Sequence, residues 1–185
     1  QQNTAENAAQ NPAQNTAAKV RYVNAEWRDR DETPRIGSRE TRRANTSFQD
    51  TMVYDARPRL AAGELDLASS GFTLAKNQTA VTDFRDDAQV AAKYYGEMEA
   101  LVCRATGADR AIAKSHLVRT EPPIDFNDGY SRFVHCDYNM ARIEDLTEEL
   151  FEREGIVAQD NWTYAWYNTW QPFDHAVVNN PLAVI

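Results

Sequence analysis

An imidazole and a carboxylate two residues apart, His135 and Asp137 in the run Arg132-Phe133-Val134-His135-Cys136-Asp137-Tyr138, are the side chains of this chain best suited to chemistry. On a β-strand, residues i and i+2 share a face. Both groups would then converge on one cation while Val134, Cys136 and Tyr138 point the other way. An imidazole nitrogen and a carboxylate oxygen are two of the three donors of a two-His, one-carboxylate Fe(II) centre. Zinc accepts the same pair, as in a hydrolase. The bland reading is a histidine hydrogen-bonded to a neighbour. A third donor would have to be a later histidine, and the only downstream one is His175, in Gln171-Pro172-Phe173-Asp174-His175. Its place just after a proline-containing turn suits a loop or outer-sphere role better than ligation.

Other polar residues are open to two readings each. His116 and Arg119 are an odd number of positions apart, so on an ideal strand they face opposite ways. A buried, hydrogen-bonded His116 is favoured, with an outer-sphere or substrate-carboxylate role open to either residue. Asn168 lies between Trp166 and Trp170, where an amide needs partners: it binds substrate or co-substrate, or it satisfies a nearby backbone group. Tyr130 and Arg132, just before the His-x-Asp run, are placed to line the mouth of a site. The aromatic series Trp162, Tyr164, Trp166 and Trp170 shares one strand face with Asn168, and core packing is favoured over substrate stacking.

The elements that must position these residues follow from pattern. Residues 1–18 are almost all Gln, Asn, Ala and Thr, too polar to offset the entropy of ordering, and are read as a disordered tail. The domain is assigned to residues 19–185. A weak strand at 19–23 precedes an Arg- and Asp-rich loop over 26–49. Strand character at 51–55 stops at Arg57-Pro58, and a turn at Gly71 leads into a short strand at 72–74. Asp86 and Asp87 offer N-caps to a helix in which Val90, Tyr94, Met98, Leu101, Val102 and Ala105 recur at helical spacing up to Gly107. A strand at 111–119 breaks at Pro122-Pro123, and the His-x-Asp strand follows a polar turn. A second helix over 141–154 turns Ile143, Leu146 and Leu150 inward and ends at Gly155. The aromatic strand 162–170 closes at Pro172. The chain then finishes on Pro181-Leu182-Ala183-Val184-Ile185, an apolar strand with no polar end, which suggests further sequence beyond it. Strands with interspersed helices predict a mostly-β jelly roll with flanking helices, an α+β, cupin-like double-stranded β-helix that is incomplete at its C-terminus.

Composition narrows the function classes. With 185 residues, 42% of them hydrophobic, the chain can bury a core, and it has no apolar run of membrane-spanning length. A formal net charge of −8 argues against a nucleic-acid surface. Arg39, Arg42 and Arg43 cluster in the polar loop and are read as a solvated face rather than an anion site. Cys103 and Cys136 lack paired spacing and sit in apolar contexts, which predicts buried, reduced thiols in a cytoplasmic protein. No secretory signal or lipid anchor is visible.

A series of short motifs occurs in order: Val53-Tyr54-Asp55-x-Arg57, Leu65-Asp66 with Gly71-Phe72, Asp83-Phe84, Tyr94-Tyr95-x-Glu97, Thr106-Gly107-Ala108, His116-x-x-Arg119, Val134-His135-x-Asp137-Tyr138, Trp170-x-Pro172 and Asn180-Pro181-Leu182-Ala183. This series resembles the Fe(II)- and 2-oxoglutarate-dependent hydroxylase/desaturase family, of the cephamycin hydroxylase and fungal gibberellin or aspergillic-acid desaturase type, over about residues 19 to 185. The resemblance implies a double-stranded β-helix in which His135 and Asp137 bind Fe(II), with 2-oxoglutarate as co-substrate. It also implies a distal His and a basic co-substrate residue, both falling after Pro181-Leu182-Ala183. The expected activity is hydroxylation or desaturation of a small metabolite, in secondary metabolism. Two other readings stand beside it: a non-catalytic remnant of the same fold, and a zinc-dependent hydrolase.

Overall fold

The sheet among the described residues is a two-stranded antiparallel ribbon. The structure, a computed structural model, describes residues 15–120, 133–177 and 182–184. They divide into two units, 15–74 with 133–134 and 182–184, and 75–120 with 135–177.

In the first unit β1 (Thr16–Val23) pairs with β2 (Thr46–Val53), in a register that sets Arg21 opposite Phe48. The Arg21 guanidinium lies 4.2 Å from the Phe48 ring centroid and donates at 3.0 Å to both the carbonyl and the hydroxyl of buried Thr46. One cation thus covers an aromatic face and ties the ribbon across its strands. The strand reaches back to Thr16, so residues 16–18 pair instead of joining the predicted tail. The predicted loop over 26–49 contains a 3-10 turn (Ala25–Trp27), a helix α1 (Arg39–Asn45) and the first part of β2. Ser38 and Thr41 form a reciprocal capping box at the start of α1, which satisfies donors that a polar, non-periodic sequence would leave exposed. Arg42 and Arg43 occupy the last turn of α1, where the helix dipole favours cations.

β2 ends at Val53, and α2 (Arg57–Ala61) follows with Pro58 in its first turn, where a missing N–H costs nothing. Asp55 accepts from the Arg57 backbone N–H at 2.9 Å and from its Nε at 2.9 and 3.0 Å. The Arg57 side-chain hydrogen bonds hold the Asp55 carboxyl below its usual value, burial opposing them. Because the folded value is depressed, the stability this pair contributes is present above the ordinary carboxylate range and is lost as pH falls through the lowered value. Arg57→Ala is expected to move the Asp55 titration upward toward that ordinary range, as read from its side-chain carboxyl carbon by NMR. A last short helix, α3 (Leu67–Ser70), starts on the Asp66 carboxylate and stops at Gly71, whose φ of 71° suits a residue without a Cβ.

The second unit is built on two helices that the sequence marks clearly. The Asp86 carboxylate accepts from the Ala88 and Gln89 N–H groups to start α4 (Asp87–Gln89), which continues through a π-helical stretch (Val90–Tyr94) into α5 (Tyr95–Thr106). Gly107, at φ 76°, ends it by donating to the Cys103 carbonyl at 2.9 Å. Val90, 1% exposed, and Met98 are buried at helical spacing. α6 (Met140–Glu154) is capped by Asn139, whose side chain accepts from the Arg142 N–H, and is closed by Gly155. Leu146, Thr147 and Leu150 are buried, one stripe of an amphipathic helix.

The predicted strands over 72–74, 111–119 and 162–170 are not in a ladder among the described residues, and the His-x-Asp run has a single parallel bridge, Arg21 to Phe133. Alternation decides which side chains face together, but a ladder also needs a partner strand at the right distance. The double-stranded β-helix is therefore not formed by the described residues, which show a small antiparallel sheet with helices. The aromatic run is correspondingly not core: Trp162, Tyr164, Tyr167 and Trp170 are exposed, and only Trp166 is half-buried. Residues 1–14 of the predicted tail, the Pro122-Pro123 break, Tyr130, Arg132, Asn180-Pro181 and Ile185 lie outside the described residues.

Candidate metal site

From Val134 the chain runs without helix or ladder to the N-cap of α6 at Asn139, with a bend at Asp137. His135 Nε2 stands 3.2 Å from Asp137 Oδ1, so the imidazole and the carboxylate are side by side. The bend has a second effect. It breaks strict alternation, and Tyr138, expected on the opposite face, joins the same group of side chains. The Tyr138 hydroxyl donates to Asn168 Oδ1 at 3.2 Å, and Asn168 Nδ2 donates to Asp137 Oδ2 at 2.5 Å. Each oxygen of Asp137 thus has a different neighbour.

Residues 164, 166 and 168, spaced by two, turn toward α6 and this bend. Tyr164 packs edge-on against Phe151 with ring centroids 6.0 Å apart, and Trp166 Nε1 donates to the Thr147 hydroxyl at 2.9 Å. Thr147 in turn donates to the Ile143 carbonyl at 2.7 Å, so its oxygen is fixed to receive the indole. The Tyr138 and Trp166 rings are 5.4 Å apart. Burial, then the Asp137 charge, raises the Tyr138 phenol above its usual value, so the hydroxyl remains a donor. Further along, Gln171 Oε1 accepts from Asn77 Nδ2 at 2.9 Å and from Tyr94 Oη at 3.2 Å, which fixes the far end of the run to the π-helical stretch.

The donor chemistry suits a ferrous ion in part. With metal–ligand bonds of about 2.1 Å, two adjacent donors on an octahedral ion stand about 3.0 Å apart. The observed 3.2 Å between Nε2 and Oδ1, an ion-pair contact between side chains that are 41% and 50% exposed, is close to that separation. A third donor is not supplied here: no group of three His, Cys, Asp or Glu side chains suited to a metal occurs among the described residues.

The other sequence candidates have their own surroundings. His116 has both ring nitrogens engaged, Nδ1 with Tyr95 Oη at 3.0 Å and Nε2 with Asp87 Oδ1 at 3.2 Å, which fastens its segment to the α4–α5 helix. Arg119, further along the same run, is exposed. His175 is exposed and follows Asp174, which adopts a φ of 62°. Asn168 contacts Asp137 and Tyr138 rather than only a backbone group. The expectation of two buried thiols is corrected: Cys103 is half-buried, and Cys136 is exposed because it sits on the bend between the two candidate ligands. Thr147 and Tyr138 were missed by pattern reading, since Thr147 reads as an ordinary helix residue and Tyr138 as a residue of the far face.

A family model described as an oxidoreductase/YMDC permease-like domain matches residues 11–185. The alpha-ketoglutarate-dependent dioxygenase phiK of a fungal species is 30% identical over 152 residues, covering 77% of this chain and 52% of its own length. The Fe(II)/2-oxoglutarate-dependent dioxygenase nvfI of Aspergillus novofumigatus is 29% identical over 159 residues, covering 83% and 56%. The hydroxylase/desaturase efuI of Hormonema carpetanum is 28% identical over 166 residues, covering 81% and 54%. The chain belongs to the Fe(II)/2-oxoglutarate-dependent hydroxylase/desaturase family. Within that family, these names do not assign it to the cephamycin or gibberellin type. The chain spans about half the length of the curated relatives it matches. No solved structure matches it significantly. No helix among the described residues is long and apolar enough to cross a membrane.

Proposed function

We propose that the intact protein is an Fe(II)/2-oxoglutarate-dependent oxygenase that hydroxylates or desaturates a small metabolite of secondary metabolism, and that His135 and Asp137 are two of its iron ligands. In this reading the family domain is a double-stranded β-helix to which the described residues contribute part. The observation that carries it is the juxtaposition of His135 Nε2 and Asp137 Oδ1 at 3.2 Å on an accessible bend, in a chain whose relatives are named as dioxygenases of this kind. Bound iron, with 2-oxoglutarate and dioxygen, supplies the oxidising power. The protein's own part is to hold the ligands, orient the reactants and exclude water. The Asp137 carboxylate offsets the charge of the cation, and the imidazole adds a neutral nitrogen donor. Tyr138, next to Asp137 in the chain, packs its ring 5.4 Å from that of Trp166. Arg119 stays a candidate for binding a substrate or co-substrate carboxylate, for which a guanidinium is a suited donor, and Tyr130 a candidate for lining the mouth of the site.

The test uses the intact gene product, loaded anaerobically with Fe(II) and then exposed to air with 2-oxoglutarate. Succinate formation without added substrate, abolished by His135→Ala, is the expected result. Absence of succinate, together with zinc retained through purification, would replace the oxygenase reading with a hydrolytic one.

A further inference from the structure

We infer that Asn168 is a positioning residue that sets which oxygen of Asp137 faces a bound cation; the identity of that cation rests on the proposed function. An exposed carboxylate turns about its terminal torsion, which is broad and nearly two-fold, and can offer either oxygen or both. Here Oδ2 is taken by the Asn168 amide N–H, leaving Oδ1, the oxygen 3.2 Å from His135 Nε2, as the one beside the imidazole. The direction of the amide follows from chemistry. An ionised carboxylate only accepts, so Asn168 must turn its NH2 group to Asp137, and its carbonyl oxygen is then left for the Tyr138 hydroxyl.

The amide is itself held in place from both sides. Two residues earlier Trp166 is bonded to Thr147, and three residues later Gln171 is bonded to Asn77 and Tyr94. The order Tyr138, Asn168, Asp137 is therefore a directional chain of donors and acceptors ending on one oxygen of the carboxylate, whose other oxygen stands beside His135. A hydrogen bond of this kind to a ligating carboxylate fixes its orientation, and its loss typically weakens metal binding by about 10- to 100-fold.

Two measurements on the protein test this. The first is metal-free: the Asn168 side-chain amide resonances, assigned by their disappearance in Asn168→Ala, are expected to shift in both Asp137→Asn and Tyr138→Phe. The second is titration with Co(II), an air-stable substitute for Fe(II). Asn168→Ala should weaken uptake about 10- to 100-fold, while Asn168→Gln, which keeps an amide donor, should recover part of the loss. Unchanged affinity in Asn168→Ala, with uptake still abolished by His135→Ala, overturns the inference and leaves the iron reading intact. Co(II) uptake that ignores both His135 and Asp137 defeats the iron reading instead, and the amide resonances then decide: unmoved in both variants, they overturn the role of Asn168, and moved in both, they support it.

Discussion

Asp137→Ala is expected to weaken Fe(II) uptake by at least about 100-fold under anaerobic equilibrium dialysis, more than the loss of a group that merely supports a ligand. The carboxylate is the charged member of the pair, and without it the ion meets only the neutral imidazole of His135. Asp137→Asn separates the two contributions. It keeps shape and one oxygen but removes the charge, and should fall as far as Asp137→Ala if charge compensation dominates. Unfolding is not expected to account for such a loss, because the Asp137 side chain is half exposed and its contacts with His135 and Asn168 are surface contacts of small net stability. Thermal unfolding curves of the two variants should therefore overlay that of the parent while their metal affinities diverge. Equal Fe(II) affinity in parent and Asp137→Ala would remove the carboxylate from the site.

How much of this arrangement is legible in the sequence depends on whether the information is local. The helix through Val90, Met98 and Leu101 is legible because Asp86 and Gly107 mark its ends and apolar residues recur within it. α6 is legible for the same reasons, with Gly155 as its stop. α1 is not, because Arg39-Glu40-Thr41-Arg42-Arg43 has no apolar face; the Ser38-x-x-Thr41 cap was the available signal. The π-helical stretch inside the first long helix leaves no trace in residue types. The strands over 111–119 and 162–170 fail for a different cause, since whether alternation becomes a ladder depends on partners far along the chain.

The candidate site divides along the same line. Spacing by two brings His135 and Asp137 together even though the segment bends instead of pairing, because two residues is too short a separation for the bend to part them. The contact between Asn168 and Asp137, 31 residues apart, could not be read from either local pattern. What alternation did preserve was the common direction of residues 164, 166 and 168, which points the amide at the bend.

Leu146→Ala is expected to cost about 2–3 kcal/mol of stability, in the lower part of the range for buried leucines. Leu146 belongs to a small set of buried side chains among the described residues, with Leu150 on the same stripe of α6. The core around it is thin enough to relax partly into the gap, which keeps the cost below the upper end. Met140→Ala, on the exposed start of the same helix, is the control and should be close to neutral. The loss at Leu146 should also reach the candidate site. Thr147 is the next residue and receives the Trp166 indole, and Trp166 precedes Asn168 by two positions. Loosening that turn of α6 relaxes the run that presents the amide to Asp137. Urea unfolding followed by tryptophan fluorescence should show a lower midpoint for Leu146→Ala at unchanged slope, and Co(II) titration under native conditions should show a fall smaller than that of Asn168→Ala. A fall as large as that of Asp137→Ala would mean that α6 holds the ligands themselves rather than the residue that orients them.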